Sequence, residues 1–460
     1  VRRVVRATLA ALALLGAGAA AAAPPAFPDD DALRADLRLR IEVQHRGSGA
    51  VLALVTPDDV RVVAYGTPRA GGTASVGGDT VFGAQSLTKV LTALLLADMV
   101  DRGEVAPDDP VARFLPGWRL PEKDGRAITL ADLATHTSGL PLRPGNLAHA
   151  DAENRYDGYT VGQLRDFLAG YVLPSVPGER YEYSNVGYGL LGQALCARLH
   201  MDYARALATR VTGPLGMTHT TLGRPARGTV ATGYTLEGAE VPGRERGALD
   251  AAGAVYTTAA DLARLLRAAF TPGPLAGAFE RLLSVRRTGG QWPANATALG
   301  WNVWRFDGRE VVYKNGSGHG YRTFMGFDPA ARRGVVGLIN AAPEIGLDDV
   351  GLHLLGAPMP VDRHVPRPHV EVAIDRSLLD RYVGRYRFAP DDVMVVTREG
   401  EGLVAEMSSG DRVRLWPEGE RDFFVKEADA QVTFGEPVDG VATTAVWHQF
   451  GEDQTGRREP

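Results

Sequence analysis

Four prolines, Pro358, Pro360, Pro366 and Pro368, fall between Gly356 and Val370, and they divide what this chain can fold into. Proline fixes φ and gives up its backbone N–H, so a stretch this rich in it forms neither a helix interior nor a central strand. The sequence changes character across the break. Before it, residues 50–55 and 60–66 are β-rich and flank the turn formers Thr56, Pro57, Asp58 and Asp59, which predicts a hairpin. Residues 87–100 switch to helical spacing, with Leu87, Leu91, Leu94 and Leu95 on one face. Further helices are expected after Thr129 and after Asn185, and strands return at 311–314, 324–327 and 335–340. That order predicts a mixed α/β domain whose N- and C-terminal strands share one sheet. After the break, residues 382–386 and alternating runs near Val393, Val413, Phe423 and Val432, punctuated by Gly and Asp, predict a small all-β domain.

The N-terminal segment reads as an export leader: Arg2, Arg3 and Arg6 precede an apolar run from Ala7 to Leu15 and a small-residue tract ending at Ala23. The run is too short to hold a membrane span. The expected divisions are therefore 1–23 for the leader, 24–365 for the mixed domain and 366–460 for the β-rich domain. No cysteine lies beside the leader to carry a lipid, so no stable membrane anchor is expected, and the expected location is periplasmic or secreted. The sole cysteine, Cys196, cannot form an internal disulfide and reads as a small apolar residue of a helix. A net charge of −5 offers no attraction to nucleic acid. No His-Glu-x-x-His or paired-cysteine spacing occurs, so no metal and no cofactor are expected.

Lysine is scarce: of 50 basic residues only Lys89, Lys123, Lys314 and Lys426 are lysine. Ser86-Leu87-Thr88-Lys89 puts a hydroxyl and an amine one turn apart on the face of the helix it opens. A neutral lysine there can take the serine proton, and the helix N-terminus favours negative charge on the serine. Without further context the same four residues also read as a helix cap followed by a surface lysine. Tyr183-Ser184-Asn185 lies where a loop runs into a helix, and it reads either as a cap or as a phenol and an amide serving a reaction. Lys314-Asn315-Gly316 ends a strand, where the glycine lets a substrate backbone approach the sheet edge. His136 reads as a structural hydrogen-bonding residue, and His319, between glycines beside Lys314-Asn315-Gly316, as a substrate contact.

In series these segments resemble the class C β-lactamase and penicillin-binding-protein-like serine hydrolases. The likeness covers most of residues 45–340. It begins at Asp79-Thr80-Val81-Phe82 and the Ser-x-x-Lys, and takes in Gly103-Glu104-Val105, Asp109-Pro110-Val111 and Ile128-Thr129-Leu130. It continues through Leu133-Ala134-Thr135-His136-Thr137-Ser138-Gly139-Leu140-Pro141, Tyr183-x-Asn185 and Lys314-Asn315-Gly316, and ends at Gly320-Tyr321, Phe327-Asp328-Pro329 and Leu338-Ile339-Asn340. The resemblance implies an antiparallel sheet with flanking helices plus an all-helical lobe. It implies Ser86 as the acylated nucleophile, with Lys89 and Tyr183 jointly moving its proton. Asn185, Lys314, Asn315, Gly316, Ser317 and His319 would bind substrate, and the backbone N–H groups of Ser86 and Ser317 would form the oxyanion hole. Asn315 stands where the family's β-lactamases carry threonine or serine, and no arginine after Asn340 matches their carboxylate-binding one. That departure points toward D-alanyl-D-alanine carboxypeptidases and endopeptidases, D-amino-acid peptidases and esterases. The tail resembles the lipocalin-like segment of some of these hydrolases.

The expected function is an exported serine acyl hydrolase for β-lactam or D-Ala-D-Ala-type peptide substrates, small molecules or peptidoglycan peptides. The alternatives are an esterase or D-amino-acid peptidase, a slowly acylated penicillin-binding sensor without turnover, and a wall- or ligand-binding role carried by the tail. The oligomeric state is left open.

Overall fold

The computed structural model describes residues 26–147, 156, 158–236, 238–243, 247–343, 345–365, 369–389, 392–408, 412–426, 430–449 and 452–459. The expected leader lies outside the described residues, as do Pro366 and Pro368. The hairpin predicted near the start is β1 (Gly49–Val55) and β2 (Val60–Gly66), paired antiparallel in register from Val55–Val60 outward. After it come β3 (Arg287–Thr288), β4 (Ala296–Ala298), β5 (Trp301–Phe306), β6 (Arg309–Gly318), β7 (Tyr321–Asp328) and β8 (Arg333–Ile339). Together they form one antiparallel sheet ordered β3-β4-β5-β6-β7-β8-β1-β2, so the first strand of the chain pairs with the last of the unit, Ala50 opposite Ile339.

All seven residues of β1 are buried, because both faces of this sheet are covered. The period of two sends Ala50, Leu52 and Leu54 into one core and Val51, Ala53 and Val55 into another. The first core is closed by α1 (Asp30–Arg38), through Leu33 and Leu37, and by a C-terminal helix, Asp348–Leu354. Asp29 caps α1 by accepting from the Ala32 N–H at 2.8 Å. The second core holds α2 (Thr88–Asp101), α3 (Leu130–Ala134), α4 (Asn185–Leu199) and α5 (Ala259–Ala268). With the C-terminal helix labelled α6, this is the mixed α/β arrangement of antiparallel sheet and helices expected from the sequence.

The helix starting at the Ser-x-x-Lys differs from its expected form. Its leucines were assigned to one apolar face, yet every residue from Thr88 to Met99 is buried. Its polar members find local partners that permit this: the Thr92 hydroxyl has the Ala251 carbonyl at 2.8 Å and the Thr88 carbonyl at 3.1 Å as alternative acceptors for its one proton, and Thr88 Oγ1 accepts from the Val255 N–H at 3.1 Å. Thus α2 is a central helix enclosed on all sides, and each of its buried leucines contributes about 2 kcal/mol. Cys196, on α4, is half-buried, and burial raises its thiol to about 12, so it is an inert apolar side chain.

A second compact unit runs from Asp362 to the C-terminus. Its strands are β9 (Gly384–Ala389), β10 (Asp392–Glu399), β11 (Gly402–Met407), β12 (Arg412–Pro417), β13 (Asp422–Val425), β14 (Ala430–Phe434), β15 (Thr444–Gln449) and β16 (Glu452–Arg458). They pair in chain order and close, β16 against β9, into an eight-stranded barrel. Tyr386, Met394, Leu403, Phe423, Phe434 and Trp447 fill its interior, with the Tyr382 and Phe434 rings stacked at 4.6 Å. Among the described residues, no helix is long and apolar enough to cross a membrane.

Candidate active site

A short 3₁₀ turn, Gln85–Leu87, delivers the chain into α2 and carries Ser86. Gln85 holds φ at +50°, a left-handed conformation that costs a non-glycine residue about 1–2 kcal/mol. His136 and His319 share that conformation at +59° and +47°. One turn beyond Ser86, Lys89 is fully buried, and its ammonium has three neutral acceptors: Ser86 Oγ at 3.1 Å, Asn185 Oδ1 at 2.7 Å and the Ala252 carbonyl at 2.7 Å. The Tyr183 hydroxyl donates to Ser86 Oγ at 2.8 Å. Ser86, Lys89, Tyr183 and Asn185, spread over a hundred residues of sequence, thus share one hydrogen-bonded cluster.

The Ser184 side chain caps α4 by accepting from Gly187 N–H at 2.7 Å, so the helix-cap reading of this segment also holds. Capping fixes the start of α4 and with it the Asn185 amide, whose Nδ2 donates to the Tyr156 hydroxyl at 3.0 Å.

The other wall is β6. Its pairing with β5 ends at Tyr313, while its pairing with β7 continues to Gly318, so residues 314–318 leave one strand edge uncovered by β5. The Ser86 turn lies against that edge. A Cβ on Gly316 would stand 2.7 Å from Ser86 N and 2.9 Å from Gln85 Cβ, a spacing that only glycine permits. Lys314 is 1% exposed, lies 4.6 Å from the Tyr183 ring centroid and donates to Gln291 Oε1 at 3.2 Å. Lys89 sits 4.9 Å from the same centroid, so two ammonium groups flank Tyr183.

The remaining expected residues are placed less uniformly. Ser317 is exposed on the β6 edge, and His319 is buried in the β6–β7 turn. Asn315 takes a different partner: its Nδ2 donates to Asp348 Oδ1 on α6 at 2.7 Å, and Arg322 clamps the same carboxylate with two bonds of 2.9 and 2.8 Å. Its amide thus ties the sheet to α6. Three contributors went unread in the sequence: the Ala252 carbonyl, Gln291 and Tyr156. Each reaches the cluster by tertiary packing and has no local pattern to announce it. Among the described residues, no group of three or more His, Cys, Asp or Glu side chains is placed to hold a metal ion.

The beta-lactamase family model matches residues 5–356, and a model for a domain of unknown function (DUF3471) matches residues 368–458. The second match does not extend the lipocalin likeness expected for the tail, whose eight-stranded barrel stands as a description of its architecture alone. The chain is 30% identical over 317 residues to the D-alanyl-D-alanine-carboxypeptidase/endopeptidase AmpH of Escherichia coli K12, covering 65% of this chain and 81% of that protein. It is 25% identical over 442 residues to penicillin-binding protein 4* of Bacillus subtilis, covering 90% and 96%. The crystal structure of the D-alanine carboxypeptidase AmpC from Burkholderia cenocepacia superposes with a TM-score of 0.59 at 27% identity, over 71% of this chain and 99% of that one. With a serine, a lysine and a tyrosine joined at one helix start, and a family match across most of the first unit, the chain belongs to the beta-lactamase family of serine hydrolases.

Proposed function

We propose that the chain hydrolyses peptides of the D-alanyl-D-alanine type through an acyl-enzyme on Ser86, with β-lactams as mimics of that substrate. The observation that carries this reading is the double hold on Ser86 Oγ, by Lys89 Nζ at 3.1 Å and Tyr183 OH at 2.8 Å. Ser86 Oγ, Asn185 Oδ1 and the Ala252 carbonyl are each placed to accept an N–H of Lys89. The two ammonium groups beside Tyr183 stabilise negative charge on its oxygen. Once the phenol proton is lost to solvent, the bond to Ser86 Oγ reverses: Tyr183 accepts the Ser86 proton as Oγ bonds to the substrate carbonyl carbon, and the carbonyl electrons move onto oxygen. The Ser86 and Ser317 N–H groups receive that oxyanion. Collapse breaks the C–N bond, Tyr183 returns the proton to the leaving amine, and the acyl group stays on Ser86 as an ester. Water then repeats the sequence and restores the serine.

Asn185, Lys314, Gly316, Ser317 and His319 are the residues we assign to substrate binding, with buried Lys314 supplying positive charge for the terminal carboxylate. The names of AmpH and of the Burkholderia protein favour a D-alanine peptide over a dedicated antibiotic substrate. Asn315 adds to this, since its amide is committed to Asp348 and it carries no hydroxyl. The leader reading would place the enzyme outside the cytoplasm.

The test is intact-protein mass spectrometry of the mature enzyme and Ser86→Ala with benzylpenicillin, run beside D-alanine release from diacetyl-Lys-D-Ala-D-Ala. The expected result is an adduct and D-alanine release with wild type only. An adduct that never turns over, with no D-alanine released, would establish the sensor reading instead. Cleavage of small esters with neither adduct nor D-alanine would leave an esterase.

A further inference from the structure

His136 takes no part in the proton path above, yet it grips the segment bearing Tyr183 at three successive residues. Its backbone carbonyl accepts the Glu182 N–H at 2.7 Å, and its Nδ1 accepts the Ser184 N–H at 3.1 Å. Between those bonds the imidazole lies against the Tyr183 ring, centroids 4.3 Å apart and planes tilted by 34°. Tyr188 contacts the same imidazole at 5.0 Å, and Tyr181 meets it edge-on at 5.8 Å. Residue 136 is 3% exposed and holds its left-handed φ without being glycine, a strained geometry that persists only where the surroundings enforce it.

From this we infer that His136 is a positioning residue for Tyr183, setting the phenol oxygen on Ser86 Oγ by bonding the flanking backbone and backing the ring. The inference rests on the reading of Tyr183 as the group that takes the Ser86 proton. Paired N–H donors at 182 and 184 fix the strand-like course of the segment, and the ring contact fixes the side chain between them. An acceptor at Nδ1 requires an uncharged imidazole with its proton on Nε2. Burial, followed by the charges of Lys314 and Lys89, holds the His136 pKa well below the usual histidine value and so maintains that form. The Nε2 atom is itself buried with no hydrogen-bond partner among the described residues.

The experiment is a double-substitution cycle on the full chain, reading the acylation rate with p-nitrophenyl acetate and subtracting the Ser86→Ala rate. His136→Phe keeps a flat ring and removes the Nδ1 acceptor; His136→Asn keeps an acceptor oxygen and removes the ring. Each is expected to slow acylation, His136→Phe by roughly a hundredfold, as for a misplacement of about 1 Å, with KM changed by less than about threefold. In a Tyr183→Phe background the same substitutions are expected to cost nothing more, because the group they position is gone. Equal slowing in both backgrounds, or a folded His136→Phe with the wild-type rate, overturns the inference. Should His136→Phe fail to fold, His136→Asn carries the same cycle. Full acylation by Tyr183→Phe alone would instead sink the reading of Tyr183, a distinguishable result.

Discussion

His136 also ties stability to pH, and the sign follows from its surroundings. The tyrosine rings that enclose it and the ammonium groups of Lys89 and Lys314 keep it uncharged in the folded chain. Unfolded, it titrates near 6.5. Below that pH the unfolded state binds a proton the folded state refuses, so stability falls with pH, by at most about 1.4 kcal/mol per unit, and levels off below the folded pKa. Urea denaturation at pH 7.5 and 5.5 should show wild type losing about 1 kcal/mol more than His136→Asn over that interval. Identical losses would mean that the imidazole is protonated as easily inside as outside.

At the level of elements, the site is a contact between a helix start and a strand edge. Gly316 is the residue that lets them meet. Gly316→Ala introduces a methyl group 2.7 Å from Ser86 N and 2.7 Å from Thr323 Oγ1, and the turn must retreat from β6. The expected cost is about 1–3 kcal/mol of stability, with acylation slowed as well. Thermal melts and the acylation rate check this, and an unchanged rate would show that the turn has room to spare. The same contact explains what could be read beforehand. Ser86 and Lys89 were legible because three residues along a helix is a local distance, true of any chain that is helical there. Tyr183 and Lys314 were ambiguous singly and took meaning only from the order of motifs around them. Gln291 and the Ala252 carbonyl had no signal, since their roles depend on where distant loops land. The enclosure of α2 was missed for a related reason: a leucine stripe shows which face is apolar, and burial of the alanine and threonine faces depends on neighbours far away in sequence.

In the whole molecule, each of the two units has its own core, the second sealed by a barrel without open edges. Limited trypsin digestion is expected to cut first after the exposed Arg363, and to leave a C-terminal fragment that still melts cooperatively; a first cut inside the barrel would refute this. The sheet of the first unit closes differently. Ser48 and Gly49 donate their N–H groups to Asn340 Oδ1, each at 2.9 Å, across a sequence separation of 292 residues for Ser48. Between these partners lie α2 to α5, Ser86 and Lys314, so β1, buried along its whole length, cannot be completed until nearly the whole unit has been synthesised. Such distant pairing makes assembly slow. A ribosome that stalls anywhere before residue 333 holds a chain in which β1 has β2 on one edge and nothing yet on the other, an apolar strand edge left open until β8 emerges.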